Sequence, residues 1–260
     1  MTRLSLVVPC FNEEHGVRPL VAALRDACDA LAPRYAVEIL FVDDGSVDET
    51  AAQLEAACRA LPAARVLRHA RNRGLGAALR TGFAAATGEL IATTDSDCTY
   101  DPRELPALLR LIEAGADVAL ASPYHPQGRV EQVPAYRLVL SRTLSWLYRA
   151  VTGASVHTYT SLFRVYRAEV IRTVRFESDG FLAMAELAVG ALLAGFRVAE
   201  HPACLRVRQY GASKAAIARL IRDHARFLWR LARQGTRVPE PRAPQPIKEF
   251  VHDATPHLAA

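Results

Sequence analysis

Short apolar, β-rich runs alternate with longer Ala- and Leu-rich segments along the first part of the chain. The runs predict strands over residues 4–8, 37–42, 65–68 and 90–94. The segments between them have helical spacing and predict helices over residues 17–31, 51–61 and 77–86. Such regular alternation favours a parallel sheet with helices on both faces. We therefore expect a single-domain α/β fold with a doubly wound, mainly parallel sheet.

The pattern is less regular beyond residue 100. It predicts helices over residues 104–114, 134–151, 181–194 and 213–233, and strands over 117–121, 198–200 and 205–207. The segment 235–260 is rich in proline, which predicts an extended or disordered tail. The folded domain is therefore expected to span residues 1–234, with a first half of about 1–122 and a second half of about 123–234.

The composition is that of a folded protein, with 51% hydrophobic and 23% charged residues. Its five cysteines show no Cys-x-x-Cys spacing, which argues against a zinc site or a disulfide framework. The N-terminal residues lack the pattern of a signal peptide, and no stretch reaches the ~18 apolar residues of a spanning helix. These features predict a cytoplasmic protein.

Positive charge is concentrated near the C-terminal end, although the net charge is only +5. Nine Arg or Lys residues between positions 206 and 237 accompany a single acid, Asp223. This asymmetry indicates a polyanionic partner. The predicted helix 213–233 is either a solvated charged face or an interfacial helix whose Phe227 and Trp229 enter lipid, and both interpretations stay open. Nucleic acid is not expected, because no nucleic-acid-binding module surrounds this stretch.

Polar, turn-forming residues directly follow three of the predicted strands, at positions 9–14, 43–46 and 95–97. Parallel strands end at one edge of the sheet, and ligands bind beyond that edge. One such cluster is equally well explained as a loop with a helix cap. Three of them at one edge indicate a binding site.

Asp95-Ser96-Asp97 places two carboxylates directly after a strand. Carboxylate oxygens suit Mg²⁺ or Mn²⁺, and such a cation neutralises charge that develops on a departing diphosphate. The alternative is that Asp97 or Asp101 only caps the helix that begins near Arg103. Taken alone, the motif leaves both roles open.

Asp43 and Asp44 follow another buried strand, where a carboxylate can accept hydrogen bonds from a nucleobase or a ribose. Gly45 permits a tight turn there, but a helix cap explains the same residues. Gly74 and Gly76 similarly allow a loop to approach a nucleotide, which is a weak signal in isolation.

Together, the order and spacing of these motifs resemble those of the family 2 glycosyltransferases, which have the GT-A fold. The resemblance is carried by residues 8–14, 42–48, 72–76 and 95–97. Three later stretches are similar to the polyprenyl-phosphate sugar transferases of that family, typified by dolichol-phosphate mannosyltransferases. They are residues 161–166, 200–202 and 208–214.

The resemblance implies metal-dependent, inverting transfer of a sugar from a GDP- or UDP-sugar, most readily to a polyprenyl or dolichyl phosphate at the inner face of the cytoplasmic membrane. It assigns the first half of the domain to the nucleotide-sugar and the second half to the acceptor. The implied donor residues are Pro9, Phe11, Glu13, Asp43, Asp44, Gly74, Asp95 and Ser96. Asp95 and Asp97 would hold Mg²⁺ or Mn²⁺, and Arg208, Ser213 and Lys214 would bind phosphates.

The chain departs from the family's pattern in the acceptor half. Thr158 and Leu162 stand where an acid and a glycine are common, and Pro123 stands where a basic residue is common. A lipid phosphate is already ionised near neutral pH, whereas a hydroxyl acceptor needs a carboxylate to take its proton. Glu186 and Asp179 are the candidate bases.

Arg164 lies between apolar residues, so its charge needs a partner, and we expect a substrate phosphate rather than an internal acid. Three alternatives to transfer onto a lipid phosphate stay open. They are a soluble hydroxyl acceptor, an inactive nucleotide-sugar-binding protein and, less favoured, a nucleotidyltransferase that releases pyrophosphate.

Overall fold

The computed structural model describes residues 1–61, 63–207 and 217–244. The strands are β1 (Thr2–Cys10), β2 (Tyr35–Asp43), β3 (Ala64–Arg68), β4 (Leu90–Thr93), β5 (Val118–Ser122), β6 (Arg129–Glu131), β7 (Arg164–Arg167), β8 (Val198–Pro202) and β9 (Cys204–Arg206). The helices are α1 (Val17–Leu31), α2 (Thr50–Ala60), α3 (Leu75–Ala85), α4 (Leu105–Glu113), α5 (Ala135–Thr152), α6 (Ala168–Thr173), α7 (Ala183–Leu193) and α8 (Ile217–Arg233).

Seven strands form the central sheet in the order β3-β2-β1-β4-β7-β5-β8, and β6 pairs with β9 in a separate ribbon. Among the strands that the structure describes in this sheet, only β7 runs antiparallel to its neighbours, β4 and β5. The other pairs in the sheet are parallel. The predicted mainly parallel α/β architecture is therefore confirmed.

The sheet is covered on both faces because side chains of β1 alternate between two apolar clusters. Leu4, Leu6 and Val8 pack in the cluster that contains residues of α1 and α4. Val7 points to the opposite cluster, with residues of α3 and α7. Gly82 lets α3 approach this face, since a Cβ there would lie 2.3 Å from Val7 Cγ1. This tight packing fixes the carboxyl ends of β1, β2 and β4, where the polar loops begin.

Helices α5 and α8 form a further buried layer with α7. Its apolar cluster includes Leu144, Val189 and Leu228. Within it, Tyr148 Oη lies 2.7 Å from His224 Nδ1. This contact joins α5 to α8. Within the described ranges, no helix is long and apolar enough to cross a membrane.

Three short elements in the second half were not predicted, namely strands β6 and β7 and helix α6. Strand β7 has only four residues and begins and ends with arginine, so it shows no apolar run. It is nevertheless central, because its Val165 and Tyr166 are fully buried between β4 and β5.

The first part of the proline-rich tail is extended and contacts the domain. Val238 N donates to Thr152 O (3.2 Å), and Arg242 N donates to Gly195 O (2.8 Å). The Arg242 guanidinium also lies over the Phe196 ring, 4.3 Å from its centroid. Residues 245–260 of the predicted tail, and residues 213–216 of the predicted helix 213–233, lie outside the described residues.

Candidate active site

A cleft of about 310 Å³ opens beyond the carboxyl ends of β1, β2 and β4. Most of the predicted donor and metal residues line it together. They are Pro9, Phe11, Glu13, Asp44, Gly74, Asp95, Ser96 and Asp97. Residues far apart in the sequence thus meet at one sheet edge.

The loops after β1 and β2 are interlocked by reciprocal hydrogen bonds. Asn12 N donates to Ser46 Oγ (2.9 Å), and Val47 N donates to Asn12 Oδ1 (2.9 Å). Glu13 N donates to Thr50 Oγ1 (2.7 Å). Asn12 adopts a positive φ of 50°, which asparagine tolerates better than most residues. Ser46 and Thr50 therefore support the loop that carries Phe11 and Glu13 into the cleft.

Asp43 is fully buried and does not belong to the cleft lining. Its Oδ1 accepts from Ser46 N (3.1 Å), and its Oδ2 lies 3.1 Å from Arg68 Nε. Gly45 follows with φ +73°, and a Cβ there would lie 2.3 Å from the carbonyl carbon of Arg71. The structure thus places Asp43 as a support of the turn, and does not bring it to the donor contact that we expected.

Asp44, the next residue, does line the cleft, but its carboxylate already accepts four hydrogen bonds. Oδ1 accepts from His69 Nδ1 (2.6 Å) and Arg73 N (2.9 Å). Oδ2 accepts from Asn72 Nδ2 (2.9 Å) and Gly74 N (2.7 Å). A carboxylate offers about four acceptor positions. Asp44 therefore holds the glycine-containing loop in place.

Asp97, the second carboxylate of the metal motif, is 8% exposed. Its Oδ1 accepts from Thr99 N (3.1 Å) within the same loop. Capping of the following 3₁₀ turn belongs to Asp101, whose side chain accepts from Arg103 N (3.0 Å). The capping role that the sequence left open thus belongs to Asp101, while Asp95 and Asp97 line the cleft.

The Asp95-Ser96-Asp97 motif lies in a negatively charged environment. Burial, followed by the charges of Asp97, Asp101 and Asp95, raises the pKa of the Cys98 thiol to about 11. Among the described residues, no group of three or more Cys, His, Asp or Glu side chains is arranged to hold a metal. Two carboxylates do fit Mg²⁺ or Mn²⁺, which commonly take their other ligands from substrate phosphates and water.

Glu186 lies outside the cleft, in a neighbouring cavity between α7 and α8. Its Oε2 accepts from Glu177 N (3.0 Å) and Ser178 N (2.9 Å), and its Oε1 lies 3.7 Å from Arg230 Nη2. The carboxylate therefore anchors the segment 177–182, whose last three residues line the cleft.

Asp179, the other candidate base, belongs to the same segment. Its carbonyl accepts from Gly76 N (2.7 Å), and its carboxylate pairs with Arg80. The structure places neither candidate base among the residues that line the cleft with Asp97.

Arg164 lies in the core, fully buried. Its guanidinium donates to Tyr159 O (2.7 Å) and Met184 O (2.9 Å) rather than to an acid or toward the cleft. This differs from the substrate phosphate that we expected, because the Nη1 and Nη2 groups donate to backbone carbonyls in the core. The predicted phosphate-binding residues Arg208, Ser213 and Lys214 lie outside the described residues.

The residues that depart from the family's pattern take up different positions. Thr158 Oγ1 lies 2.7 Å from Ser122 Oγ in a buried contact. Leu162 lines the cleft.

A sequence model described as Glycosyl transferase family 2 matches residues 5–175, well over half of the chain. The chain belongs to this family. The polyprenol monophosphomannose synthase of Mycolicibacterium smegmatis is 34% identical over 219 residues, which is 82% of this chain and 80% of that protein. The dolichol-phosphate mannosyltransferase of Pyrococcus furiosus is 28% identical over 231 residues, covering 88% of this chain. The chain spans only 63% of the length of that second relative.

Solved structures have the same fold. The crystal structure of glucosyl-3-phosphoglycerate synthase from Mycobacterium tuberculosis, in complex with Mn²⁺, uridine diphosphate and phosphoglyceric acid, has a TM-score of 0.66. The match covers 92% of this chain and 80% of the chain of that synthase, at 18% sequence identity. At this identity the likeness concerns the fold alone, and it confirms the predicted GT-A fold.

Helix α8 contributes cleft residues that the sequence of this family 2 glycosyltransferase did not indicate. Arg219, Leu220 and Asp223 line the cleft, as does Phe181, which is 52% exposed. Arg219 and Asp223 are four residues apart, so they lie on one helix face. That spacing is the available signal in the sequence, but the surrounding arginines favour a solvated or lipid-facing surface for Arg219.

Proposed function

We propose that this glycosyltransferase moves a sugar, with inversion, from a nucleoside-diphosphate sugar to a polyprenyl phosphate. The observation that carries the proposal is the meeting of Asp95 and Asp97 with Phe11, Glu13 and the loop held by Asp44 in one cleft. The names of the relatives, one a polyprenol monophosphomannose synthase and one a dolichol-phosphate mannosyltransferase, support this acceptor class.

The donor, a GDP- or UDP-sugar, would bind with its nucleoside between the loop of Pro9 and Phe11 and the loop of Asn72 and Gly74. Its diphosphate would then reach Asp95 and Asp97, which would hold Mg²⁺ or Mn²⁺. A bound divalent cation supplies neutralisation of the charge that develops on the departing diphosphate. A structural neighbour with this fold contains Mn²⁺ and uridine diphosphate, which supports this arrangement.

The acceptor assignment is supported by the state of the two candidate bases. Glu186 is held by two backbone donors and Asp179 is paired with Arg80. A lipid phosphate needs no base, because it is already a nucleophilic anion near neutral pH. Transfer to a phosphate acceptor therefore does not require Glu186 or Asp179 to act as a base.

A soluble hydroxyl acceptor is the second candidate, and Asp223 favours it. This α8 carboxylate lines both the cleft and the neighbouring cavity. Its Oδ1 accepts from Arg222 Nε (3.1 Å), but unlike Asp179 and Glu186 it lines the cleft and would be the base that such an acceptor needs.

We further propose that the protein contacts an anionic membrane at the inner face of the cytoplasmic membrane. Helix α8 exposes Ile217, Ile221 and Trp229 beside its arginines, and the adjoining α5 exposes Val139 and Trp146. Exposed aromatic and aliphatic side chains next to basic ones suit the lipid–water interface. A polyprenyl phosphate would be reached from that surface.

A donor panel with and without polyprenyl phosphate tests the function. We expect the parent to release GDP or UDP from one donor of the panel, and to do so faster when polyprenyl phosphate is present. The Asp97→Ala variant should release neither. Asp101→Ala is the matched control, since it removes a nearby carboxylate that caps the 3₁₀ turn. Release of pyrophosphate would instead indicate a nucleotidyltransferase, and binding without turnover would indicate an inactive nucleotide-sugar-binding protein.

A further inference from the structure

All four donors to the Asp44 carboxylate come from one segment, residues 69–74, as given above. Two are backbone N–H groups and two are side chains, of His69 and Asn72. A ligand hydroxyl or imide can bond to Asp44 only by displacing one of them. Asp44 therefore acts on a ligand through the segment it holds.

His69 is the one of these two side chains that also contacts helix α3. It is 7% exposed, and its Nε2 lies 2.8 Å from Thr81 Oγ1 on α3. Its backbone N also donates to Asp43 O (2.9 Å). With both ring nitrogens engaged, the imidazole is clamped between the end of β2 and helix α3.

The segment held in this way forms a wall of the cleft. Asn72 and Gly74 line it, and Gly74 has a φ of +96°. A Cβ at Gly74 would lie 2.3 Å from Asp179 O, so the loop has little room to shift. A rotated Asp44 carboxylate would release three hydrogen bonds to residues 72–74 together.

We propose that His69 is a positioning residue for the nucleotide donor, holding Asp44 so that residues 72–74 keep the shape of the cleft wall. The inference rests on the proposed function, because it presumes that a nucleoside diphosphate occupies this cleft. His69 touches neither the donor nor the acceptor in this account.

Three variants test the role. His69→Leu removes both ring contacts, Thr81→Val removes only the contact at Nε2, and His69→Asn keeps a donor near the position of Nδ1. We expect His69→Leu to raise the donor KM and the Kd for GDP or UDP by about 10- to 100-fold, as for lost orienting contacts elsewhere. Thr81→Val should show a smaller rise, and His69→Asn should stay close to the parent.

A change in the donor KM without a change in kcat or in the acceptor KM distinguishes a positioning role from a general loss of structure. The kcat and the acceptor KM should change little in all three variants, since the lost interaction is with the donor. An unchanged donor KM in His69→Leu, with normal GDP or UDP binding by the parent, would overturn the inference. If His69→Leu does not fold, an unchanged donor KM in Thr81→Val overturns it instead. A parent protein that binds no nucleoside diphosphate would overturn the proposed function itself.

Discussion

Tyr148 and His224 are joined by a hydrogen bond of 2.7 Å between Oη and Nδ1, buried where α5 packs on α8. His224 is 1% exposed, one position after Asp223 on the helix that closes one side of the cleft. The contact therefore helps to set where α8 places Arg219 and Asp223 at the cleft.

The buried histidine makes stability depend on pH. Burial lowers the pKa of His224 from 6.5 to about 4, so the folded protein resists a proton that the unfolded chain accepts. The unfolding free energy is therefore at its full value above pH 6.5 and falls as the pH drops toward 4, because the unfolded chain binds this proton first. The loss amounts to roughly 1–2 kcal/mol between pH 7 and pH 5.

Urea unfolding of the parent and of His224→Gln at both pH values measures the pH-dependent stability that comes from His224, because the two proteins have all other titrating groups in common. The parent's advantage should shrink as the pH falls. A constant difference between the two proteins would contradict the assignment.

Gly74→Ala should weaken both folding and donor binding. The positive φ and the contact with Asp179 O make an added Cβ costly, by about 1–3 kcal/mol in unfolding free energy. Gly153→Ala is the matched control, since Gly153 also has a positive φ of 72° but no atom within 4 Å of an added Cβ. We expect Gly153→Ala to lower stability while leaving the Kd for GDP or UDP unchanged. Equal nucleotide affinity in the two variants would refute the assignment of this loop to the donor.

Glu186→Gln should retain most activity, because an amide oxygen can still accept from the backbone of Glu177 and Ser178. A catalytic base replaced in this way would lose about 10²- to 10⁴-fold in rate. Glu186→Leu should do more harm than Glu186→Gln, since it removes the acceptor of two partly buried N–H groups. Steady-state kcat with polyprenyl phosphate distinguishes an anchor from a base, and equal, large losses in both variants would support the base.

Membrane contact should depend on the basic face of α8. In flotation with anionic liposomes, we expect the parent to float and Arg222→Glu/Arg226→Glu/Trp229→Ala to remain in the lower fraction. A control with Arg18→Glu and Arg25→Glu makes the same change in net charge on α1. Loss of flotation in both would indicate a general charge effect, and failure of the parent to float would favour a soluble acceptor.

Much of the sheet was predictable from sequence, because β1 and β2 are long apolar runs that end in polar loops. Strand β7 was not, since its four residues show no such run and its partners β4 and β5 are distant along the chain. Its place in the sheet is set by pairing with β4 and β5 and by the burial of Val165 and Tyr166.

The loops of the candidate site and most of their cleft-lining residues were predictable, but the positions of several other residues were not. Asp43 and Asp44 are adjacent residues of the same type, yet of the two only Asp44 lines the cleft, because Asp43 is buried beneath the turn. Arg164 donates to backbone carbonyls and Glu186 accepts from backbone N–H groups, and such contacts have no signature in the sequence. The approach of α8 to the cleft depends on tertiary packing through Tyr148 and His224.

The most direct test of the central claim is the mass of the lipid product formed from a GDP- or UDP-sugar and polyprenyl phosphate with Mn²⁺. The account predicts a lipid phosphate that carries one added sugar, formed by the parent and by Asp101→Ala but not by Asp97→Ala. An unmodified lipid across the full donor panel, or equal product from Asp97→Ala, would contradict it.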